Sequence, residues 1–352
     1  MSDRKEEAGM NLKLRTHKLK LITYYSPFTT HPSQLIFAQF MKYFTVLLAG
    51  IFFLLFNSVE AQLTFPHVKV VYDSGWSYKN LTLIPIRFTD SLHSNAAFPR
   101  SFLSLSVAMQ QKKIKITENK FDGRENVNTL NIRNLSKEYI LVESGDLLKG
   151  GKQDRMSAET KLIAPGSDVN YLNVFCIEKG RWDKKAKPFS YAGFADATIR
   201  KAGDSSGVQQ HVWREIEKQF VANETLTETY PYLQLQKKKT GQLNDYQQFF
   251  INRFKQSDSV YAGFIVLTDS TILAADIFAN EYLLASSFEK LLFSYIGAIK
   301  NKESTVKTIK ETVQNFARKL LSTESAQKKF VEHHGKIFLY KNYPLHITTF
   351  GN

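Results

Sequence analysis

The sequence predicts an α+β fold, strand-rich in its N-terminal half and mixing strands with amphipathic helices in its C-terminal half. Three observations predict it. Between Val68 and Glu178, seven short runs rich in β-branched and aromatic residues are separated by turn formers. Beyond Gly263, two more runs flank Thr268-Asp269-Ser270 as a β-hairpin. After the hairpin, two stretches carry apolar residues at helical spacing. Strands first and helices later, without a regular strand–helix alternation, argue for α+β rather than a parallel sheet.

The early strand runs are 68–72, 81–88, 114–116, 129–132, 139–143, 161–164 and 171–178, divided by turns such as Gly150-Gly151 and Pro165-Gly166. Pro85 lacks a ladder N–H, so its run predicts an edge strand or a bulge. Residues 189–201 are mixed, and Gly203-Asp204-Ser205-Ser206-Gly207 reads as a small-residue loop. Val212, Ile216 and Phe220 recur at four-residue steps and predict a helix, with Trp213 alongside. Residues 225–240 are polar and read as a surface loop or linker. Leu284, Phe288, Leu291, Leu292, Tyr295 and Ile299 form one helical stripe; Val306, Ile309, Val313, Phe316 and Leu320 form another. Strand runs 336–340 and 345–349 close the chain.

A secretory leader precedes this unit. Lys42 follows Met41, residues 44–56 are almost wholly apolar, and Val59 and Ala61 suit a peptidase cutting before Gln62. The apolar core is short of the roughly 20 residues of a spanning helix. The competing reading joins residues 35–56 into an uncleaved membrane anchor interrupted by Lys42. Residues 1–40 read as an extension ahead of a native start at Met41. The folded unit is then 62–352, one α+β domain that divides, if into two lobes, near 185–210. The leader makes the protein exported, periplasmic or extracellular.

The net charge is +14. It is spread along the chain, with Lys237-Lys238-Lys239 the longest run, whereas a nucleic-acid footprint concentrates basic charge with interleaved aromatics. Solvated surface lysines are the reading, and no nucleic-acid partner is expected. The one cysteine, Cys176, excludes an intrachain disulfide and any cysteine-built zinc centre within one chain. His67, His93, His211, His333, His334 and His346 show no metal-ligand spacing, so no metal site is predicted. His333-His334 reads as exposed, and His346 as a satisfied structural histidine rather than a base.

Two polar clusters stand out. In the first, 143–155, Gly150-Gly151 lets a backbone approach an anion, and Lys152 and Arg155 flank it. It lacks the Lys-Ser/Thr pair of a P-loop. In the second, 176–182, period-two alternation puts Cys176 and Glu178 on one strand face. Arg181 offers a charged fork and Trp182 a stacking surface. Each cluster has a plain alternative: a glycine turn among surface charges, and a buried cysteine beside an arginine paired to a carboxylate. The segment 203–207 fits Gly-x-Ser-x-Gly, but no strand feeds it as a nucleophile elbow requires.

These pieces in this order resemble the ARPP-1 domain family, named for association with ADP-ribosylglycohydrolases and rhodanese/phosphatase-type proteins. The matching segments are Asn80 to Ile86, Glu143-Ser144-Gly145-Asp146, Lys149 to Arg155, Phe175 to Trp182 and Gln210-His211-Val212-Trp213. Gly263 to Val266, Asp276 to Phe278, Leu291 to Tyr295 and His346 continue the likeness. The resemblance implies a ligand-binding or processing domain linked to NAD-derived or ADP-ribose chemistry, and it names no cofactor.

Three functional readings follow. The first is a pocket for an anionic small molecule, nucleotide or ADP-ribose-like, formed by Gly150, Gly151, Lys152, Gln153, Arg155, Arg181, Trp182, Gln210 and Trp213. The second is an enzyme with Glu143, Asp154 or Glu178 as general acid or base, a role that burial would favour by raising a carboxyl pKa. The third is a structural or interaction protein of the cell envelope.

Overall fold

A computed structural model of the chain describes residues 63–351 apart from 90–97, 122–123, 226, 240–243, 258, 270 and 300–309. The leader 41–61, the anchor segment 35–56 and the stretch 1–40 lie outside the described residues, as do His93, Val306 and Ile309. Glu60–Asn352 form one compact unit. Among the described residues it holds sixteen strands in three sheets and eight α-helices, an α+β fold whose strands dominate the N-terminal half.

The largest sheet runs β1 (Val68–Val70), β3 (Leu81–Phe88), β13 (Tyr261–Thr268), β14 (Thr271–Phe278), β16 (Tyr343–Phe350) and β15 (Gly335–Tyr340), with β2 (Trp76–Tyr78) also on β3. Every pair is antiparallel. Both faces are apolar because neighbouring side chains point opposite ways: on β13, Phe264 and Val266 enter one core and Ile265 and Leu267 the other. Helices α5 (Asn244–Lys255) and α6 (Glu281–Gly297) pack on the first core through Phe250, Phe288, Leu291 and Tyr295. Phe254 stacks on Phe288 at 4.1 Å between ring centroids. Helices α7 (Lys310–Leu321) and α8 (Glu324–His334) pack on the second through Val313, Phe316, Leu320 and Val331. Asn280 and Thr323 cap α6 and α8, their side-chain oxygens accepting the N–H of Leu283 and Ala326.

The six-stranded sheet runs β12 (Lys187–Phe194), β8 (Asp146–Gly151), β9 (Arg155–Ser157), β11 (Asn170–Cys176), β6 (Arg124–Asn134) and β5 (Ile114–Phe121). The three-stranded sheet is β10 (Lys161–Ile163), β7 (Tyr139–Val142) and β4 (Phe102–Ser104), with β4 and β7 parallel. These sheets and α1 (Leu105–Gln110) share a third core that includes Leu105, Ile132, Ile140 and Leu148. Alternate residues, among them Leu147, Met156 and Phe175, meet α2 (Ala197–Asp204), α3 (Gln209–Ala222) and α4 (Tyr232–Lys239) in a fourth. Residues from β12 and α2 enter two cores: Phe194 and Ala197 the first, Ala192 and Ile199 the fourth.

Several expectations need correction. Pro85 is on an interior strand rather than an edge, since β13 pairs with Leu81 to Arg87 of β3. The bulge offered as the other reading lies one residue away, where β13 shifts register opposite Ile86 and Arg87. Pro85 is tolerated because β1 reaches only Ile86 and β2 only Leu83, leaving it in the gap between them. Residues 225–240 contain α4, where the buried Tyr232 hydroxyl meets Asp196. Gly203 and Asp204 end α2 rather than belonging to a loop. Glu178 lies past the end of β11, so it does not share a strand face with Cys176.

One buried charge network holds the layers together. Arg200 of α2 donates to both oxygens of Asp276 on β14, at 2.6 and 3.4 Å, and to Thr348 of β16 at 3.1 Å. Tyr295 of α6 donates to Asp276 at 2.7 Å, and His346 Nε2 lies 2.8 Å from it. His346 Nδ1 lies 3.0 Å from Thr160, between β9 and β10. Burial opposes the charge on Asp276, but the Arg200 guanidinium and the His346 contact hold its carboxyl well below the usual range. Removing one partner of such a pair strands the other charge. Arg200→Met should therefore lose roughly 3–5 kcal/mol in urea denaturation; a loss below about 1 kcal/mol would contradict this role.

Candidate ligand-binding site

A cleft of about 800 Å³ opens between β8, β12, α4, α6 and the loop after β11. Tyr191, Phe194, Phe293, Pro231 and Leu233 supply its apolar walls. Lys149, Lys187, Arg181 and Lys290 bring cations to it, and Asp154, Glu178 and Glu289 carboxylates.

The two sequence clusters meet at one end of the cleft, but largely to satisfy each other. Arg181 reaches Asp154 at 2.7 Å, Asp183 at 2.8 Å, and Glu178 through its Nε. Burial opposes its charge, yet the Glu178 hydrogen bond and the three carboxylates hold its pKa above the ordinary value. Asp154 also accepts the Gly150 N–H at 2.9 Å, and Glu118 accepts that of Lys152 at 2.7 Å. These backbone N–H groups, expected to cradle an external anion, are thus filled by the protein's own carboxylates. The glycines have a local reason. Gly150 has φ +124, and a Cβ there would collide with the Pro188 carbonyl of the paired strand. Gly151, with φ +56, is crowded instead by the side chains of Phe189 and Glu118.

Gly150, Asp154, Glu178 and Arg181 therefore line the cleft, while other predicted residues do not. Arg155 is wholly buried, donates to the Gln153 carbonyl at 2.8 Å, and lies 3.6 Å from Glu118. Gln153 donates to the Glu178 carbonyl. Lys152 and Arg155 sit 5.4 and 5.8 Å from the centroid of the exposed Trp182 ring, which serves the protein's own cations. Gln210 is exposed on α3, and Trp213 of the same helix does not reach the cleft. Its neighbour Gln209 makes the contact instead, bridging the N–H and carbonyl of Cys176 at 2.7 and 2.8 Å. Burial raises the Cys176 thiol pKa, as suits an unreactive packed side chain.

Glu143 proves to be part of a cluster that sequence reasoning did not assemble. It is fully buried and ion-paired with Lys290 of α6. The same ammonium lies 3.2 Å from Asp146, whose Oδ1 also accepts the Tyr191 hydroxyl at 3.2 Å and whose Oδ2 accepts the Glu143 N–H at 2.8 Å. Burial, opposed by Lys290 and reinforced by Glu143, raises the Asp146 pKa to about 6. Burial and the Asp146 charge hold the Tyr191 phenol well above its usual value, so it remains a donor. Burial disfavours the Lys290 ammonium, but Asp146 and Glu143 outweigh that and raise its pKa. One signal was available: Glu289-Lys290 is the only charged pair in α6 after Glu281. Among the described residues, no group of histidine, cysteine and carboxylate side chains could hold a metal ion. No described helix is long and apolar enough to cross a membrane.

Fold and cleft together define an α+β domain with a mixed-charge cleft set beside buried ion clusters. The chain belongs to the ARPP-1 family: the model of the ARG and Rhodanese-Phosphatase-superfamily-associated Protein domain matches residues 69–343. No curated protein and no solved structure gives a significant match.

Asp146 links this site to stability. Its folded-state pKa, about 6, is above the ~3.9 of an unfolded aspartate. Its stabilising contribution is then fully present below pH ~4 and lost as pH rises through about 6. Asp146→Asn should flatten the decline in urea midpoint between pH ~4 and pH ~6.5. An unchanged slope would show that Asp146 does not titrate in that window.

Proposed function

We propose that this chain is an exported domain binding an anionic small molecule with a flat ring, of the nucleotide or ADP-ribose kind, in this cleft. The observation carrying the reading is the mixed lining. Exposed Lys149 and Lys187 at the rim suit phosphate oxygens, Asp154 and Glu178 suit sugar hydroxyls, and Tyr191 and Phe293 suit a ring. Arg181 and the glycine turn, being satisfied internally, act as scaffold in this reading. The association of the family with ARG, ADP-ribosylglycohydrolase, supports the ligand class. Export rests on the segment 41–61 alone.

Calorimetry and thermal shift with AMP, ADP-ribose, a sugar phosphate and adenosine test the ligand class. AMP or ADP-ribose should raise Tm, and replacing Lys149 and Lys187 together by Glu should weaken binding roughly tenfold, more at low salt. A flat response from folded protein would sink the proposal. N-terminal sequencing of the mature chain should begin at Gln62; an intact Met1 or Met41 would overturn the leader.

A second reading, acid–base catalysis, draws on the presence of Asp154 and Glu178 in the lining. With a turnover assay on ADP-ribosyl compounds, changing Glu143, Asp154 or Glu178 to its amide should cost about 10²-fold or more in kcat for the true acid or base. Three unchanged amides would remove this reading.

A further inference from the structure

Lys290 and Tyr191 are the two polar donors on the wall where β12 meets α6, and both are fixed from behind by the same buried acid, Asp146. We propose that the Lys290 ammonium and the Tyr191 hydroxyl together hold an oxygen anion of the ligand, and that binding is coupled to uptake of one proton by the buried Glu143–Asp146 pair. This rests on the reading of the cleft as an anion-binding one and deepens it.

The charge count carries the inference. Two fully buried carboxylates share a single cation, and Glu143 Oε1 accepts no hydrogen bond among the described residues. With both acids ionised, Lys290 is already over-compensated, and an arriving oxyanion meets net negative charge in a place of low dielectric. One proton from solvent, bonded to a carboxylate oxygen, removes that excess. With it the cluster is neutral, one ammonium against one carboxylate, so the oxyanion no longer meets net negative charge, and no other covalent bond is made or broken.

Among the described residues, the other charges around the pair are committed elsewhere or lie out at the rim with Lys149 and Lys187. Lys290 and Glu289 come from α6, Tyr191 from β12, and Arg200 and Asp204 from α2. Arg200 is committed to Asp276, and Asp204 accepts the Ser144 hydroxyl at 2.6 Å. On β8 itself, Lys149 is exposed. The Asp146 pKa of about 6 makes that carboxylate able to take up a proton near neutrality. Glu143 and Asp146 are thus positioning residues, while Lys290 and Tyr191 touch the ligand. The proton taken up on Asp146 Oδ1 donates to the phenol oxygen, which releases the Tyr191 O–H, otherwise spent on Asp146, to the ligand.

The test is calorimetry of the whole chain with AMP and ADP-ribose at pH 7.5, in two buffers of different ionisation enthalpy, with adenosine as the uncharged control. Whichever anion binds should take up close to one proton, and its affinity should fall by up to tenfold per pH unit above pH ~6. Adenosine should take up none. Tyr191→Phe keeps the ring and loses one donor, so binding should weaken roughly 5–50-fold. Asp146→Asn should abolish proton uptake and flatten the pH dependence. Binding of the anions without proton uptake, or unchanged affinity in Tyr191→Phe, overturns this inference and leaves the binding reading standing. If neither anion binds folded protein, both fall together.

Discussion

The arrangement of this domain depends on a single ion pair, Arg200 with Asp276, neither of which has meaningful exposure. A guanidinium and a carboxylate inside a core are tolerated when most of their strong hydrogen-bonding directions are used. Arg200 leaves only its Nε without a hydrogen bond among the described residues. Asp276 is well satisfied, accepting from Arg200 through both oxygens, from Tyr295, and from His346. Because its carboxyl stays ionised, the proton facing it belongs on His346 Nε2, which leaves Nδ1 for Thr160. The pair therefore fixes α2 against the large sheet, and with α2 the strand β12 that precedes it. Sliding either layer would separate charges with no water to receive them.

The same electrostatics shaped the glycine turn. Backbone N–H groups and a guanidinium gathered at one spot attract anions, and the carboxylates nearest at hand are those of Asp154, Glu178, Asp183 and Glu118. Being tethered, they meet the donors at a high effective concentration, against which a dissolved anion must compete. The result is a rigid, internally neutralised wall. The proposed ligand chemistry therefore falls to the rim lysines and to the β12–α6 wall, where charge remains unequally matched.

Much of the fold was legible because it is written in local periodicity. The run 81–88 became β3, the hairpin around Asp269 joined β13 to β14, and Val212, Ile216 and Phe220 all turned inward on α3. Elements were hidden where burial relies on polar partners: α4 looked like a linker because Tyr232, its deepest residue, is anchored by Asp196 rather than by an apolar stripe. The candidate site was only partly legible for a related reason. The family likeness, rather than spacing, set 149–155 beside 176–182, and Arg181 with Asp154 and Gln153 with Glu178 join the two segments. Spacing could not reveal that Lys290, well over a hundred residues further along, would pair with Glu143 and Asp146. Only the packing of α6 beside β12 brings those charges together.

Phe194 shapes the relation between the two buried charge systems. Its ring lies 5.3 Å from Lys290 on the cleft side and 5.3 Å from Arg200 in the core. An apolar ring screens charge far less than water would, so the two cations sense each other across it. A change of charge in the cleft is therefore transmitted to the ion pair that fastens the layers.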